Sequence, residues 1–466
     1  MSYLYNKNVN VQNNNVVVTT SNPFPVTSVG DGINVKGISP DAFGRTRVSE
    51  PFTLGDYKHL FAIDPNFVDS SSNGSVTFIQ NKACANLAIN GNTGAYAIHQ
   101  TKFYHHYQPG KSQLIFSSVC FGYPQRNVTK RTGYFDDRDG IYFEQVGSDT
   151  ANGTVANNTT QTLNFVIRSY TDGTASEADV GAYKRRISQA NWNVDKCDGT
   201  GVSGFNLDIS KTQLIYIDFQ WLGVGRVRCG FVHEGKVIIA HEYYHSNVLK
   251  DVYLANPNLP VRCEIRNSGG TSTGGWFDQI CATVASEGGY IESGIDWSIF
   301  TTQRTTATPS ATPLPLVALR LKNSFNGYPN RISVRLNSIS FFAETNSVVY
   351  ELVQLPNSGS LSTTDVGGLV WTSADSDSGV EYCVNATSYT SADADRLSSG
   401  YVPAGSSQNS LTPIATGPIS SAKKNILVQN IASSNSEVYA VVVRTITTVG
   451  NQTASVAAAL QWREIY

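Results

Sequence analysis

His241, Glu242 and His245 stand in the order H-E-x-x-H, the spacing with which zinc proteases hold a metal and a general base. That chemistry needs a helix, because one turn sets two imidazoles side by side, each about 2.0–2.1 Å from one Zn²⁺. The surrounding residues favour a strand instead. Phe231–His233 and Lys236–Ile239 flank Glu234-Gly235, a two-residue hairpin turn, and the residues after it are mostly β-branched or aromatic. On a pleat His241 and His245 share a face but lie about 13 Å apart at ~3.3 Å per residue, too far for one metal. The same face is expected to carry Val237, Ile239 and Tyr243. No third ligand follows: VLKD stands where a Gly and a His would be needed, and Glu264 sits in VRCEIRN, another strand-like run. The zinc reading is rejected.

Other constellations carry weaker chemistry. Asp136-Asp137-Arg138-Asp139-Gly140 has the acids of a calcium loop, but Phe135 and Val146 occupy positions where an EF-hand requires Asp and Glu. An acidic hairpin turn is preferred to an irregular Ca²⁺ site near Asp136–Asp139. Glu144 could pair with one of these acids as in a glycosidase. In FYHHYQPGK, His105 and His106 point to opposite faces of a strand, which makes them poor co-ligands. With Trp276 and Trp297 they could form an aromatic surface for sugar stacking; packing in a core or subunit interface is preferred. No nucleophile elbow, P-loop or dinucleotide fingerprint appears, and no Cys stands beside a His. No catalytic, cofactor-binding or metal-binding residues are assigned, no cofactor is expected, and the chain is read as non-enzymatic.

The elements that would position these residues follow from composition. Only 15% of the 466 residues are charged and 39 are Gly, while 20 Phe, 23 Tyr and 6 Trp supply surface to bury. That suits short strands joined by many turns and argues against disorder. A net charge of −2 offers no electrostatic case for nucleic acid or an anionic membrane; Lys184–Arg186, the densest basic run, is read as ordinary surface. Seven scattered cysteines form neither a disulfide framework nor a zinc ribbon. The absence of a signal pattern or long apolar run predicts synthesis in a reducing host cytoplasm, without membrane insertion.

Strand-like runs such as QLIFSSVCFG, TLNFVIRSY, QLIYIDFQWLG and ISVRLNSISFF alternate with turn clusters, predicting an all-β fold of antiparallel β-sandwich or jelly-roll type. Residues 1–50 read as an extended N-terminal docking arm, 51–345 as a large sandwich and 346–466 as a smaller C-terminal sandwich. One short helix is expected near residues 175–192.

The stretches DAFGRTRVSEPFTLGDY, FYHHYQPGKSQLIFSSVCFG, GYFDDRDGIYFEQ, FQWLGVGRVRCGFVHEGKVIIAHEYYHSN and PNLPVRCEIRN resemble segments of large β-rich virion proteins of tailed bacteriophages, over residues 40–345. The resemblance implies a structural virion component, tail-associated as a fibre, spike or baseplate part. It would be docked to other virion proteins through its N-terminal arm and assembled as a symmetric homo-oligomer, a trimer by preference, with host-surface glycan as a further contact. The alternatives are a head-surface decoration protein and a carbohydrate-binding or depolymerising surface protein. The resemblance brings no functional residues with it.

Overall fold

The computed structural model describes residues 12–13, 16–17, 50–154, 160–270, 272–302, 304–306, 313–404, 412–413, 426–427, 436–446 and 452–466. The N-terminal arm thus lies outside the described residues, save for one antiparallel pairing of Gln12–Asn13 with Val16–Val17. Residues 51–466 form one compact unit.

Fifteen strands build the large sandwich. In chain order they are β1 (Pro51–Lys58), β2 (Phe67–Ser72), β3 (Gly74–Ile79), β4 (Cys84–Ile89), β5 (Tyr96–Thr101), β6 (Ser112–Cys120), β7 (Val128–Phe135) and β8 (Gly140–Gly147). There follow β9 (Gln161–Arg168), β10 (Arg186–Ser188), β11 (Thr212–Phe219), β12 (Val227–His233), β13 (Lys236–Tyr243), β14 (Val261–Asn267) and β15 (Gly275–Glu287). A seven-stranded antiparallel sheet runs β10-β9-β8-β7-β14-β5-β2. An eight-stranded sheet runs β13-β12-β11-β6-β15-β4-β3, with β1 paired to the second half of β15. The fold is all-β, as the turn-rich composition predicts.

The period-2 pattern decides what each sheet buries. Along β6 the residues alternate between half-buried and buried, so Ile115, Ser117 and Val119 face inward while Leu114, Phe116 and Ser118 face out. Inward residues of both sheets, among them Phe143, Phe165, Ile215, Phe231, Val261 and Phe277, pack into one core. At ~25 cal/mol per Å² of apolar surface, burying each such aromatic is worth ~1.5–3 kcal/mol.

The second pair of sheets draws on β16 (Ile295–Phe300), β17 (Leu314–Leu321), β18 (Ser333–Ala343), β19 (Val348–Leu355), β20 (Val380–Cys383), β21 (Asp395–Val402), β22 (Val438–Thr445) and β23 (Ala454–Ile465). One sheet centres on β16-β23-β18 and the other on β20-β17-β22-β19-β21, with Leu336, Leu352, Val441 and Trp462 in their shared core. The change of strand partners therefore falls between Glu287 and Ile295, not at 345–346. The C-terminal strand β23 supplies the reason: it pairs with both β16 and β18, drawing residues 295–343 into the second sandwich.

No helix forms over residues 175–192. The segment pairs β10 with the edge of β9, makes one 3₁₀ turn at Gln189–Asn191, and delivers Trp192 into the core. Edge pairing plus that burial outweighs the local helical spacing. Nor is Lys184–Arg186 a surface run: Arg185 is buried and Arg186 enters an ion-pair network, leaving only Lys184 exposed.

Candidate functional site

The two outer faces of the large sandwich are chemically opposite. On the seven-stranded sheet, Glu264 of β14 lies across from Arg131 of β7, which lies across from Glu144 of β8. Arg131 bridges both carboxylates, with Nη1 2.8 Å from Glu264 and Nε 3.1 Å from Glu144. Arg262 donates to Glu264 at 2.6 Å and reaches Asp137 at 2.9 Å; Arg266 lies 3.2 Å from Glu264. At the other edge Arg186 contacts Glu144 and Glu177, Asn164 donates to Glu144 at 3.0 Å, and Arg168 holds Glu177 at 2.7 Å. Aromatic rings fill the gaps: Arg168 stacks over Tyr142 and Arg262 over Phe135.

Burial alone would raise the Glu264 pKa. The guanidiniums of Arg262, Arg131, Arg266 and Arg168 outweigh it and hold this carboxyl well below the usual carboxylate range. A glycosidase acid needs the reverse, a carboxyl kept protonated near neutrality. Glu264 is a counter-ion, not a proton donor, and Glu177, likewise held below the usual range by Arg131 and Arg168, is another.

The residues flagged in the sequence are dispersed. Asp136 accepts from the Arg138 and Asp139 amides and pairs with Arg331 of the second sandwich. Asp139 accepts from the Tyr170 and Ala255 amides, and burial pushes its pKa up to about 6. With Asp137 turned to Arg262, the three acids have three separate partners, which fits the hairpin reading. Glu144, which could have paired with one of them, is instead held by Arg131, Arg186 and Asn164. Among the described residues, no group of three or more His, Cys, Asp or Glu side chains could hold a metal.

His241 and His245 do not share the face expected of them. A β-bulge at Ala240 shifts the register, so Ile239 lies opposite Gly230 and His241 opposite Cys229. Val237 and Ile239 consequently point outward, whereas His241 and Tyr243 point inward. β13 ends at Tyr243. His245 Nδ1 donates to the Gly225 carbonyl, so its Nε2 accepts from the Tyr183 hydroxyl at 2.8 Å. Tyr253 stacks on the ring at 3.9 Å. Both ring nitrogens are occupied, and burial lowers the pKa to about 4.

His105 follows the same pattern, donating to the Leu259 carbonyl at 3.1 Å and accepting from Tyr57 at 2.8 Å. His106 is buried beside Phe103. Neither meets Trp276, which lies half-exposed on β15 under the Lys82 ammonium, or Trp297 on the second sandwich. The alternative of a sugar-stacking surface is not assembled; the preferred reading, packing, is what these histidines do.

The eight-stranded sheet presents the contrasting face. A row of Cα partners joins Lys58 to Cys281, Cys281 to Ser118 and Ser118 to Leu214, and Val232 to Val237. The next row joins Asp56, Thr283, Phe116, Tyr216, Gly230 and Ile239. Between them lies an open, mainly apolar groove of about 730 Å³ that crosses from β1 to β13. A Cβ on Gly230 would lie 2.0 Å from the Ile238 carbonyl oxygen, so the bulge itself requires glycine there. Sequence reasoning missed this groove, because the alternation that marks a strand does not say which face stays open.

No family model matches the sequence, and no curated protein matches it. Solved structures of low similarity exist. The carbohydrate recognition domain of Emp47p aligns at 7% identity and a TM-score of 0.29, over 50% of this chain and 96% of that one. A protein of unknown function, SO2946 from Shewanella oneidensis MR-1, aligns at 10% identity and 0.31, over 53% and 91%. An engineered GH43 glycoside hydrolase aligns at 11% identity and 0.30, over 57% and 46%. Likenesses of this size carry no function across.

Proposed function

We propose that the chain is a structural component of a tailed-phage virion, tail-associated and assembled as a symmetric homo-oligomer, rather than an enzyme. The carrying observation is the commitment of Glu144 and Glu264 to Arg131 between them. A depolymerase would present two carboxylates in a groove with one held protonated, whereas these serve as buried counter-ions that stiffen a sheet. Sheets with such faces, many short loops and an open apolar groove are suited to holding shape and meeting other surfaces. The phage-like phrases along residues 40–345 supply the particle.

Immunogold labelling of gradient-purified particles from the source lysate tests the reading. Gold at the tail end is the expected result. Gold over the head would replace the tail assignment with head-surface decoration, and no gold on intact particles would remove the virion assignment. A parallel assay on host polysaccharide is expected to show no chain shortening. Cleavage abolished by Glu144→Gln would overturn the non-enzymatic reading.

A further inference from the structure

Four Asn-Gly pairs stand in the chain, at Asn73-Gly74, Asn90-Gly91, Asn152-Gly153 and Asn326-Gly327. Such a pair can modify itself. The glycine nitrogen attacks the asparagine Cγ and closes a five-membered ring, and the missing glycine side chain leaves the approach clear. All four asparagines are exposed, so access to water does not separate them. Their neighbours do.

Three of the four are held. Asn73 Oδ1 accepts from the Asn92 side-chain amide at 3.1 Å, and Gly74 is walled in: a Cβ there would lie 2.7 Å from both the Ala88 and Tyr96 carbonyl oxygens. Asn90 Oδ1 accepts from the Asn92 backbone N–H at 3.0 Å, and a Cβ on Gly91 would lie 2.4 Å from the Ser272 carbonyl oxygen. Thr154 holds Asn152 Oδ1 twice, at 3.0 and 2.7 Å. There the attacking nitrogen is engaged as well, because the Gly153 N–H donates to the Pro124 carbonyl at 3.0 Å.

Asn326 and Gly327 carry none of these restraints. They are the two central residues of a hairpin that pairs Ser324–Phe325 with Tyr328–Pro329. Their φ values of 50° and 81° fit a type I′ turn. Neither makes a hydrogen bond among the described residues, and open space surrounds the position of a Gly327 Cβ. The hairpin joins no larger sheet, and two strands alone are marginal in water, so this turn opens locally at little cost.

We propose that Asn326 is a site of self-modification, a succinimide-forming asparagine whose products are aspartate and isoaspartate. Hydroxide takes the Gly327 N–H proton, the nitrogen bonds to Asn326 Cγ, and the side-chain nitrogen leaves as ammonia. Water then opens the ring at either carbonyl and leaves a carboxylate. Each event adds one negative charge, and isoaspartate also adds a methylene to the main chain. A two-residue turn cannot carry that extra link in register, so the change loosens Phe325 from Tyr466, whose rings lie 6.2 Å apart. The step needs only water and base, and does not depend on the particle assignment.

The full chain, kept at mildly alkaline pH and body temperature, is digested at intervals and its four Asn-Gly peptides are followed by mass spectrometry. The Asn326 peptide should convert roughly tenfold faster than each of the others, as for an open segment against held ones. Its rate should rise with pH, and protein isoaspartyl methyltransferase should label it. Asn326→Gln should remove that label, since glutamine closes the larger ring far more slowly. In urea, where the neighbours are lost and glycine follows every asparagine, the four rates should converge. Equal rates in the folded chain, or fastest conversion at another pair, overturn the proposal. So does an Asn326 that stays intact in the folded chain while the unfolded chain converts.

Discussion

The two outer faces of one sandwich solve the same problem in opposite ways. On the seven-stranded sheet, charged side chains are paired with one another around a buried centre: Arg131, Arg168, Arg186, Arg262 and Arg266 neutralise Glu144, Glu177, Glu264 and Asp137, with Arg262, Glu144 and Glu264 fully buried and Asp137 at the exposed margin. On the eight-stranded sheet, apolar side chains such as Leu60 and Val237 are left in the open. Desolvated charge is costly unless every member is paired, so the first face is closed and tolerates no missing partner. Exposed apolar surface costs little until something covers it, so the second face is free to bind. The polar-looking face is the structural one, and the bland one is the better contact surface.

The sharpest way to break that contrast is to remove one ion from the closed face. Glu264→Ala leaves Arg262 fully buried and Arg131 and Arg266 short of a counter-charge. It should cost about 3–5 kcal/mol, as for other broken buried pairs. Urea unfolding followed by tryptophan fluorescence would show this as a large fall in midpoint. A fall below about 1 kcal/mol would mean that water reaches the network and that this face, too, is open.

Acid probes the buried histidines and the ion-paired face in sequence. Burial lowers the pKa of His105 to about 3 and those of His106, His241 and His245 to about 4. Above pH ~6.5 these rings are neutral in both folded and unfolded chains and have no effect. As pH falls from there toward 4, the unfolded chain takes up protons that the folded one refuses. Each group then withdraws up to about 1.4 kcal/mol of stability per pH unit. Glu264 has a depressed folded pKa, so its contribution persists until pH drops below the ordinary carboxylate value of ~4.3. Stability should decline first through the histidines and only later through the arginine–glutamate face. His245→Gln should flatten the pH 6.5–4 slope of the urea midpoint by about one proton; an unchanged slope would show that His245 is not a refused proton site.

Part of this was legible in the residues themselves. The alternation in QLIFSSVC marks β6 and its inward face, and Glu234-Gly235 forms the two-residue turn, with φ of 50° and 74°. What stayed hidden depends on distant partners. Arg131 meets Glu264 across 133 positions of sequence, and β23 reaches back to β16 across more, so neither the ion-pair lattice nor the sandwich boundary has a local signature. The single extra residue at Ala240 reversed the faces of Val237 and His241, because a period of two turns a one-residue slip into a flip.

Gly230 tests whether that bulge supports the groove. In Gly230→Ala the new methyl meets the Ile238 carbonyl backbone, which no rotamer change relieves. A loss of about 1–3 kcal/mol is expected, as for other overpacked sites. The variant should also alkylate Cys281 at a changed rate if the strain spreads across the row to β15. A loss confined to β12–β13 would leave Cys281 at its parent rate.

The smallest effect should come from the open face itself. Cys281→Ser keeps a polar atom beside the Ser118 hydroxyl, which now lies 2.7 Å from the sulfur, and Val237→Ser removes methyls that water already touches. Each should change unfolding free energy by no more than about 0.5 kcal/mol, the range of ordinary surface substitutions. Set beside the loss at Glu264, that gives a several-fold ratio between two outward-facing positions of one sandwich. A cost for Val237→Ser above about 1 kcal/mol would mean that this side chain is packed rather than left in water, and the contrast between the two sheets would shrink accordingly.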